Sequence, residues 1–226
     1  ALLKKHDKVL VELPTRDGAV LLAAGLQGRI FCRLGGELLH RLDVERLEQP
    51  SRTEFNNLGG NSLWPAPEGG PFAFNYPPDN GPWRVQSGIA EAACAVVNRT
   101  ASGATMEKTI ALVNRKGVEV QLRFRRSVEV LAPETAGLPD SVRSLAYVCE
   151  DSFTPLGEYS RDEVLLAPWS LVQFPGGEGV TFFAKASRPR EAVNQDFYGA
   201  AQGPLTYGRQ QVAIPLGGQD KWQIGL

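Results

Sequence analysis

Alternating apolar and polar residues predict β-strands along most of this chain. From Val118 to Phe124 every second residue is apolar, and the residues between them are Glu, Gln and Arg. A period of two indicates a sheet with one buried face and one solvated face. The turn at Asn114–Gly117 connects this strand to an apolar strand predicted over Thr105–Val113. Together they form the clearest hairpin that the sequence predicts.

Further strands are predicted where short apolar runs are bounded by Gly, Pro or other turn residues. The segment Leu38–Leu47 is compatible with either a helical turn or a connecting strand. The pattern predicts additional strands over Lys8–Leu13, Ala19–Ala24, Gly28–Arg33, Ile89–Asn98, Ser144–Cys149, Val164–Leu166, Ser170–Phe174, Val180–Ala186, Gln211–Leu216 and Trp222–Leu226. Many short strands separated by turns favour an all-β, mostly antiparallel sandwich or barrel.

Length and charge limit the classes of function. The chain has 226 residues and no long linker, so we predict a single β-sandwich domain over residues 1–226. Because the last residues still have a strand pattern, we expect that a C-terminal part of the fold could be missing. The 24 basic and 25 acidic residues nearly cancel, which argues against nucleic acid or a membrane surface as a partner. No apolar run approaches the length of a transmembrane helix.

The three cysteines, Cys32, Cys94 and Cys149, are widely spaced and odd in number, so we predict buried thiols rather than a disulfide framework. This slightly favours the cytoplasm as the compartment. A periplasmic location is compatible with a removed signal peptide, since the chain starts at Ala1. The sequence does not determine the oligomeric state.

The segment from Phe55 to Trp83 is the main functional clue. It contains two Gly pairs, many prolines and two tryptophans beside Asn, Asp and Glu residues. This composition excludes a long helix and allows at most short edge strands. An ordered loop that presents indole faces next to amides and carboxylates suits a sugar, whose C–H face can stack while its hydroxyls pair with polar groups. We therefore expect a carbohydrate ligand.

Candidates for catalysis are few. Glu68 lies in rigid Pro/Gly surroundings and is the candidate base, with His40 or another carboxylate as the acid. Because the chain has only two histidines and no Cys-x-x-Cys pair, we predict no metal site. The Gly pairs lack the Lys-Ser/Thr ending of a phosphate loop and open no convincing helix, so we predict turns with positive φ and no nucleotide cofactor.

Candidates for binding surround the same segment. We expect Trp64 to stack on a sugar face, Asn57 and Asn61 to pair with hydroxyls, and Arg29 to hold Glu68 or an acidic sugar. An Arg inside an apolar strand normally has a partner or faces a pocket. The set of predicted binding residues is Arg29, Asn57, Asn61, Trp64, Glu150 and Lys221.

Three elements in order resemble uncharacterised bacterial proteins of the galactose mutarotase-like (aldose 1-epimerase-like) superfamily. They are Gly28-Arg29-Ile30, the run Asn56–Gly70, and Pro77-Pro78-Asp79 followed by Gly81-Pro82-Trp83. The resemblance implies a β-supersandwich with a carbohydrate cleft on one concave face. It also implies interconversion of sugar anomers by a His acid and a carboxylate base, or sugar binding alone.

The chain departs from that superfamily at the catalytic positions. Residues 165–175 contain no His where mutarotases carry one, and the late catalytic Glu has no evident counterpart. We therefore rank a carbohydrate-binding protein first. An aldose 1-epimerase-type isomerase and a structural or oligomerisation β-domain are the alternatives.

Overall fold

The computed structural model describes residues 2–79, 81–193 and 205–217. By internal contacts the chain divides into two compact units, Ala1–Phe174 and Pro175–Leu226, and each is described by itself. The single domain expected from the sequence stays a prediction, because contact density does not decide which parts fold together.

The described residues of the first unit form three short helices and ten strands. The helices are α1 (Leu2–His6), α2 (Val44–Glu48) and α3 (Ser87–Ala90). The strands are β1 (Val11–Pro14), β2 (Gly18–Ala23), β3 (Arg29–Leu34), β4 (Glu37–Leu38), β5 (Asn61–Ala66), β6 (Ala95–Arg99), β7 (Gly103–Val113), β8 (Glu119–Leu131), β9 (Ala146–Pro155) and β10 (Ala167–Val172). A single 3-10 turn, Pro133–Ala136, lies between β8 and β9.

These strands form two antiparallel sheets. The first sheet has the order β1-β2-β3-β5-β10, with β4 paired to β3, and the second has the order β6-β7-β8-β9. The predicted hairpin is confirmed as β7–β8, with a register that runs from Gly103 opposite Glu129 to Val113 opposite Glu119. The strand after the turn is longer than predicted and continues to Leu131.

One apolar cluster contains residues of both sheets and forms the main core. Even-numbered residues of β8 from Val120 to Val128 are buried, while the odd-numbered ones are exposed or half-buried. A second cluster covers the other face of β2 and β3, where Phe31 packs with Leu3 of α1 and Leu47 of α2. Both faces of β2 are therefore buried, which explains why its sequence is a continuous apolar run.

The all-β, antiparallel sandwich class is confirmed, whereas the mutarotase-like type of sandwich stays a prediction. The expectation of at most edge strands in the Gly/Pro-rich segment was wrong for β5. This strand lies between β3 and β10 in the sheet, and Asn61 to Pro65 are buried. β3 pairs with β5 only at Asn61, so at Pro65 the strand β5 pairs with β10 alone. Pro65 is tolerated there because a proline, which has no N–H to donate, fits a strand position that is paired on one side only.

Other boundaries also differ from the prediction. Only the second half of Ile89–Asn98 is a strand, because α3 occupies Ser87–Ala90. The ambiguous Leu38–Leu47 contains the end of β4 and most of α2, whose N-cap Asp43 accepts the Arg46 N–H at 3.0 Å. The segment Val164–Leu166 forms no strand. The strand predicted over Trp222–Leu226 lies outside the described residues.

The second unit contains a small antiparallel sheet in the order β11-β13-β12, together with one helical turn, α4. Its core is formed by Val193, Val212 and Ile214. The elements are β11 (Thr181–Lys185), α4 (Pro189–Ala192), β12 (Thr206–Tyr207) and β13 (Gln211–Pro215). Across residues 2–79, 81–193 and 205–217, no helix has the length and hydrophobicity that a membrane span requires.

Candidate functional site

Three aromatic rings, Phe55, Trp64 and Trp83, form a cluster at the Gly/Pro-rich segment. The two indoles are nearly parallel, with ring centroids 6.5 Å apart and an interplanar angle of 27°. Phe55 meets both edge-on, at centroid distances of 5.4 Å from Trp64 and 6.4 Å from Trp83. Such geometries stabilise aromatic pairs beyond simple burial. The cluster therefore holds its outermost ring in a defined orientation.

The structure exposes Trp83 rather than Trp64, the tryptophan predicted to contact a sugar. Trp64 is only 5% exposed and belongs to the main core, so the expectation that it faces solvent was wrong. Its indole N–H donates to the Ser62 hydroxyl at 2.8 Å, which satisfies the one polar atom of the ring. Trp83 is 43% exposed and is the most exposed ring of the cluster, since Phe55 is half-buried.

The loop that carries Trp83 is fastened to the β7–β8 hairpin. Gln86 donates to the Val113 carbonyl at 2.7 Å and accepts the Val113 N–H at 2.8 Å. One residue after Trp83, the Arg84 N–H donates to the Asn75 carbonyl at 2.8 Å. Further along, the Arg115 N–H donates to the Ala73 carbonyl at 2.8 Å. The backbone on both sides of Trp83 is thus held by hydrogen bonds.

Asn75, in the same loop, carries an unsatisfied donor. Its side chain is 2% exposed, and the Nδ2 group has no acceptor among the described residues. A buried donor without a partner costs about 1–3 kcal/mol, so such groups in native proteins usually meet a water or a ligand oxygen. The loop of Trp83 therefore holds an amide whose hydrogen bonds are incomplete.

Asn61 lies at the centre of a buried polar network between the two sheets. Arg126, which is fully buried, donates to the Asn61 carbonyl at 2.8 Å and to the Asn61 side-chain oxygen at 2.7 Å. The same guanidinium binds both oxygens of Asp151, at 2.7 and 2.9 Å. Ser170 donates to the Asn61 side-chain oxygen at 2.9 Å. Asn61 of the first sheet is thus linked to Arg126 of the second sheet. Its side-chain oxygen already accepts two hydrogen bonds, from Arg126 and Ser170.

Asn57 has a similar structural role. Its side-chain oxygen accepts from the Gln173 amide at 2.9 Å and from the Gly59 N–H at 3.3 Å. Its backbone carbonyl accepts from Arg41 at 3.3 Å. These bonds fasten the segment before β5 to the residue that follows β10.

Arg29 is 1% exposed and donates to neutral oxygens. Its Nε–H binds the Gln27 side-chain oxygen at 2.8 Å, and its Nη1 group binds the Gly59 carbonyl. Burial, together with the nearby Arg126 and Arg41, lowers the pKa of Arg29 to about 9. The expected pairing of Arg29 with an acidic sugar or with Glu68, which is half-buried in the loop after β5, stays a prediction.

His40 lies in an apolar environment. It is 3% exposed, its Nδ1 accepts the Cys32 N–H at 2.9 Å, and its ring stacks on Phe174 with centroids 4.8 Å apart. Burial lowers the pKa of His40 to about 4, so the imidazole is neutral near pH 7. A general acid must carry a proton that it can release. The environment of His40 works against that role.

Glu150 is exposed, whereas the inward-facing carboxylate of β9 belongs to Asp151. The structure therefore does not bring Glu150 together with the other candidates. The register places Asp151 directly opposite Arg126 and Glu150 opposite Ser127. The sequence signal for Asp151 was Arg126. Arg126 alternates in step with the buried apolar residues of β8, so its charge requires a counter-ion that faces inward.

Two further expectations concern ligands. Lys221 lies outside the described residues. In the part of the chain that the structure describes, no group of three or more His, Cys, Asp or Glu side chains is arranged to hold a metal ion.

Cys32 and Cys94 are buried free thiols as predicted, and Cys149 is half-buried. Burial raises the pKa of all three thiols.

A protein-family model described as a family of unknown function (DUF6786) matches residues 1–226. The chain belongs to the DUF6786 family. No curated protein and no solved structure matches this DUF6786 chain. The family description names no activity.

Proposed function

We propose that this DUF6786 protein binds a carbohydrate and that Trp83 is the stacking platform. The observation that carries the proposal is the exposed indole of Trp83, backed by the parallel, buried indole of Trp64. A sugar offers a flat C–H face that packs on an indole, and its hydroxyls need polar partners around the ring. The proposal keeps the ligand class expected from the sequence and moves the contact from Trp64 to Trp83.

The rigidity of the platform supports a binding role. Ordering side chains on association costs about 0.5–1.5 kcal/mol for each immobilised group. Trp83 is already held by Trp64 and Phe55 and by the backbone bond of its neighbour Arg84 to Asn75. A sugar that stacks there therefore orders little of the protein.

The arrangement of the candidate acid and base favours binding over an epimerase. Acid–base catalysis requires two titratable groups that both reach the substrate. His40, the candidate acid, is enclosed between Cys32 and Phe174 and is neutral near pH 7, which works against proton donation. Glu68, the candidate base, lies half-buried in the loop after β5. A role as a scaffold without a ligand is the remaining alternative, and it predicts that no saccharide binds.

The test is isothermal titration of the whole chain with a panel of aldoses and their oligosaccharides. At least one should bind saturably to the wild type and about tenfold more weakly to Trp83→Ala, while Trp83→Phe keeps part of the affinity. Phe174→Ala is the matched control, because Phe174 is 41% exposed and lies outside the cluster. Polarimetry of the same sugars should show no faster anomer equilibration; faster equilibration would favour the epimerase.

Absence of binding across the panel would remove the carbohydrate proposal. Equal loss of affinity in Trp83→Ala and Phe174→Ala would remove Trp83 as the specific contact.

A further inference from the structure

A third tryptophan, Trp169, lies directly beside the aromatic cluster. The register of β10 with β5 places Trp169 opposite Trp64. Directly opposite residues of an antiparallel pair project to the same side of the sheet, with Cβ atoms about 4.5–5.5 Å apart. The side chains of Trp64 and Trp169 are therefore neighbours on one side of the first sheet.

Trp83 lies on that same side, because its ring stacks on the ring of Trp64. The buried indole of Trp64 is thus the common neighbour of two less buried indoles. Trp83 is 43% exposed, and Trp169 is half-buried. We call Trp64, Trp83 and Trp169 the indole group. The polar network of Asn61 and Arg126 lies on the opposite side of β5, since side chains alternate along a strand.

The strand that carries Trp169 borders solvent. β10 is the last strand of the first sheet, and no described strand pairs with its other edge. Both neighbours of Trp169, Pro168 and Ser170, are exposed. The Gln173 N–H donates to the Gly60 carbonyl at 3.0 Å. By the alternation of an antiparallel ladder, the backbone N–H and C=O of Ser170 therefore point away from β5, which places a donor and an acceptor next to Trp169.

We propose that the Trp83 platform continues onto Trp169, so that this DUF6786 protein binds an oligosaccharide in preference to a free monosaccharide. One sugar unit stacks on Trp83, and a linked unit contacts Trp169 and pairs its hydroxyls with the backbone of Ser170. Each indole adds a flat apolar contact, and the second contact is intramolecular once the first has formed. This inference rests on the proposed function, because Trp169 extends a platform that begins at Trp83.

Isothermal titration of the whole chain with matched sugars tests the extension. The probes are glucose, cellobiose and cellotriose, with the corresponding series of mannose and galactose. In a series that binds, the wild type should bind the trisaccharide at least about tenfold more tightly than the monosaccharide. Trp169→Ala should bind both sugars about as weakly as the wild type binds the monosaccharide. Trp83→Ala should weaken the binding of both.

Further variants separate stacking from folding. Trp169→Leu keeps an apolar side chain against the core and removes the flat ring, so it should lose the same preference for the trisaccharide. Trp169→Phe should keep part of that preference. Val172→Ala is the matched control, because Val172 is an exposed residue of the same strand whose side chain lies on the opposite side of the sheet, opposite Asn61. This variant should keep the full preference of the wild type.

Equal affinities of the wild type for the monosaccharide and the trisaccharide would overturn the second contact and leave the Trp83 platform in place. The second contact would also be overturned if Trp169→Leu kept the full preference, or if Val172→Ala lost it to the same extent. Binding of no sugar in any series would instead remove the proposed function, and this extension with it.

Discussion

Removing the charge of Asp151 should destabilise the first unit strongly. Arg126 has no exposed side-chain surface, and the Asp151 side chain is 10% exposed, so their ion pair is almost completely shielded from water. In Asp151→Asn, Arg126 keeps its bonds to the Asn61 oxygens but loses the carboxylate that neutralises its charge. Breaking a buried pair on one side typically costs about 3–5 kcal/mol, because a buried charge is left uncompensated.

A cycle of variants separates the charge effect from lost packing. Arg126→Met with Asp151→Leu removes both charges but also takes the Arg126 donors away from the buried Asn61 oxygens, so the free energy of unfolding should recover only part of what Asp151→Asn loses. The matched control is the ion pair between Arg125 and Glu107, which uses the adjacent, solvated position of the same strand. Glu107→Gln should cost less than about 1 kcal/mol, as exposed pairs do.

Urea unfolding followed by tryptophan fluorescence and circular dichroism measures all four proteins. The reasoning is refuted if Asp151→Asn and Glu107→Gln have the same free energy of unfolding.

Two further predictions concern pH and backbone geometry. Burial lowers the pKa of His40 from 6.5 to about 4, so His40 takes up a proton more readily in the unfolded state than in the folded state. The contribution of His40 to the free energy of unfolding is therefore present above pH 6.5 and falls by about 2–3 kcal/mol as the pH is lowered to 4. Urea unfolding should show this decline in the wild type and in His6→Asn but not in His40→Asn, and an equal decline in His40→Asn would contradict it. Gly59 and Gly70 both have positive φ, but a Cβ at Gly59 would collide with the Arg41 carbonyl, whereas at Gly70 it would meet nothing within 4 Å. Gly59→Ala should therefore lower the melting temperature clearly more than Gly70→Ala, and equal shifts would show that φ alone matters.

The sequence predicted the parts of the fold that local pattern controls. The β7–β8 hairpin was predicted from the turn at Asn114–Gly117 and the period of two in the strand that follows it. In the structure β7 and β8 pair as predicted. Five of the glycines in the Gly pairs have the positive φ expected of turns, namely Gly35, Gly36, Gly59, Gly60 and Gly70. The strand β5 could not be predicted in this way, because its Pro65 is tolerated only through the pairing of neighbouring strands.

The candidate site was predictable as a region but not as individual side chains. The segment from Phe55 to Trp83 contains the aromatic cluster, yet which indole is exposed depends on β5 entering the sheet and burying Trp64. Arg126 could have been recognised by extending the alternation of β8 beyond Phe124. The choice between Glu150 and Asp151 needed the register of β8 with β9, which no local pattern specifies.

The central claim is that a sugar stacks on the exposed indole of Trp83. Iodide quenching of tryptophan fluorescence tests it most directly, because iodide reaches exposed indoles and not buried ones. At saturating concentration of a saccharide that binds, the account predicts reduced quenching of the wild type and no change in quenching for Trp83→Phe. Quenching of the wild type that stays the same when the saccharide is bound would contradict the account.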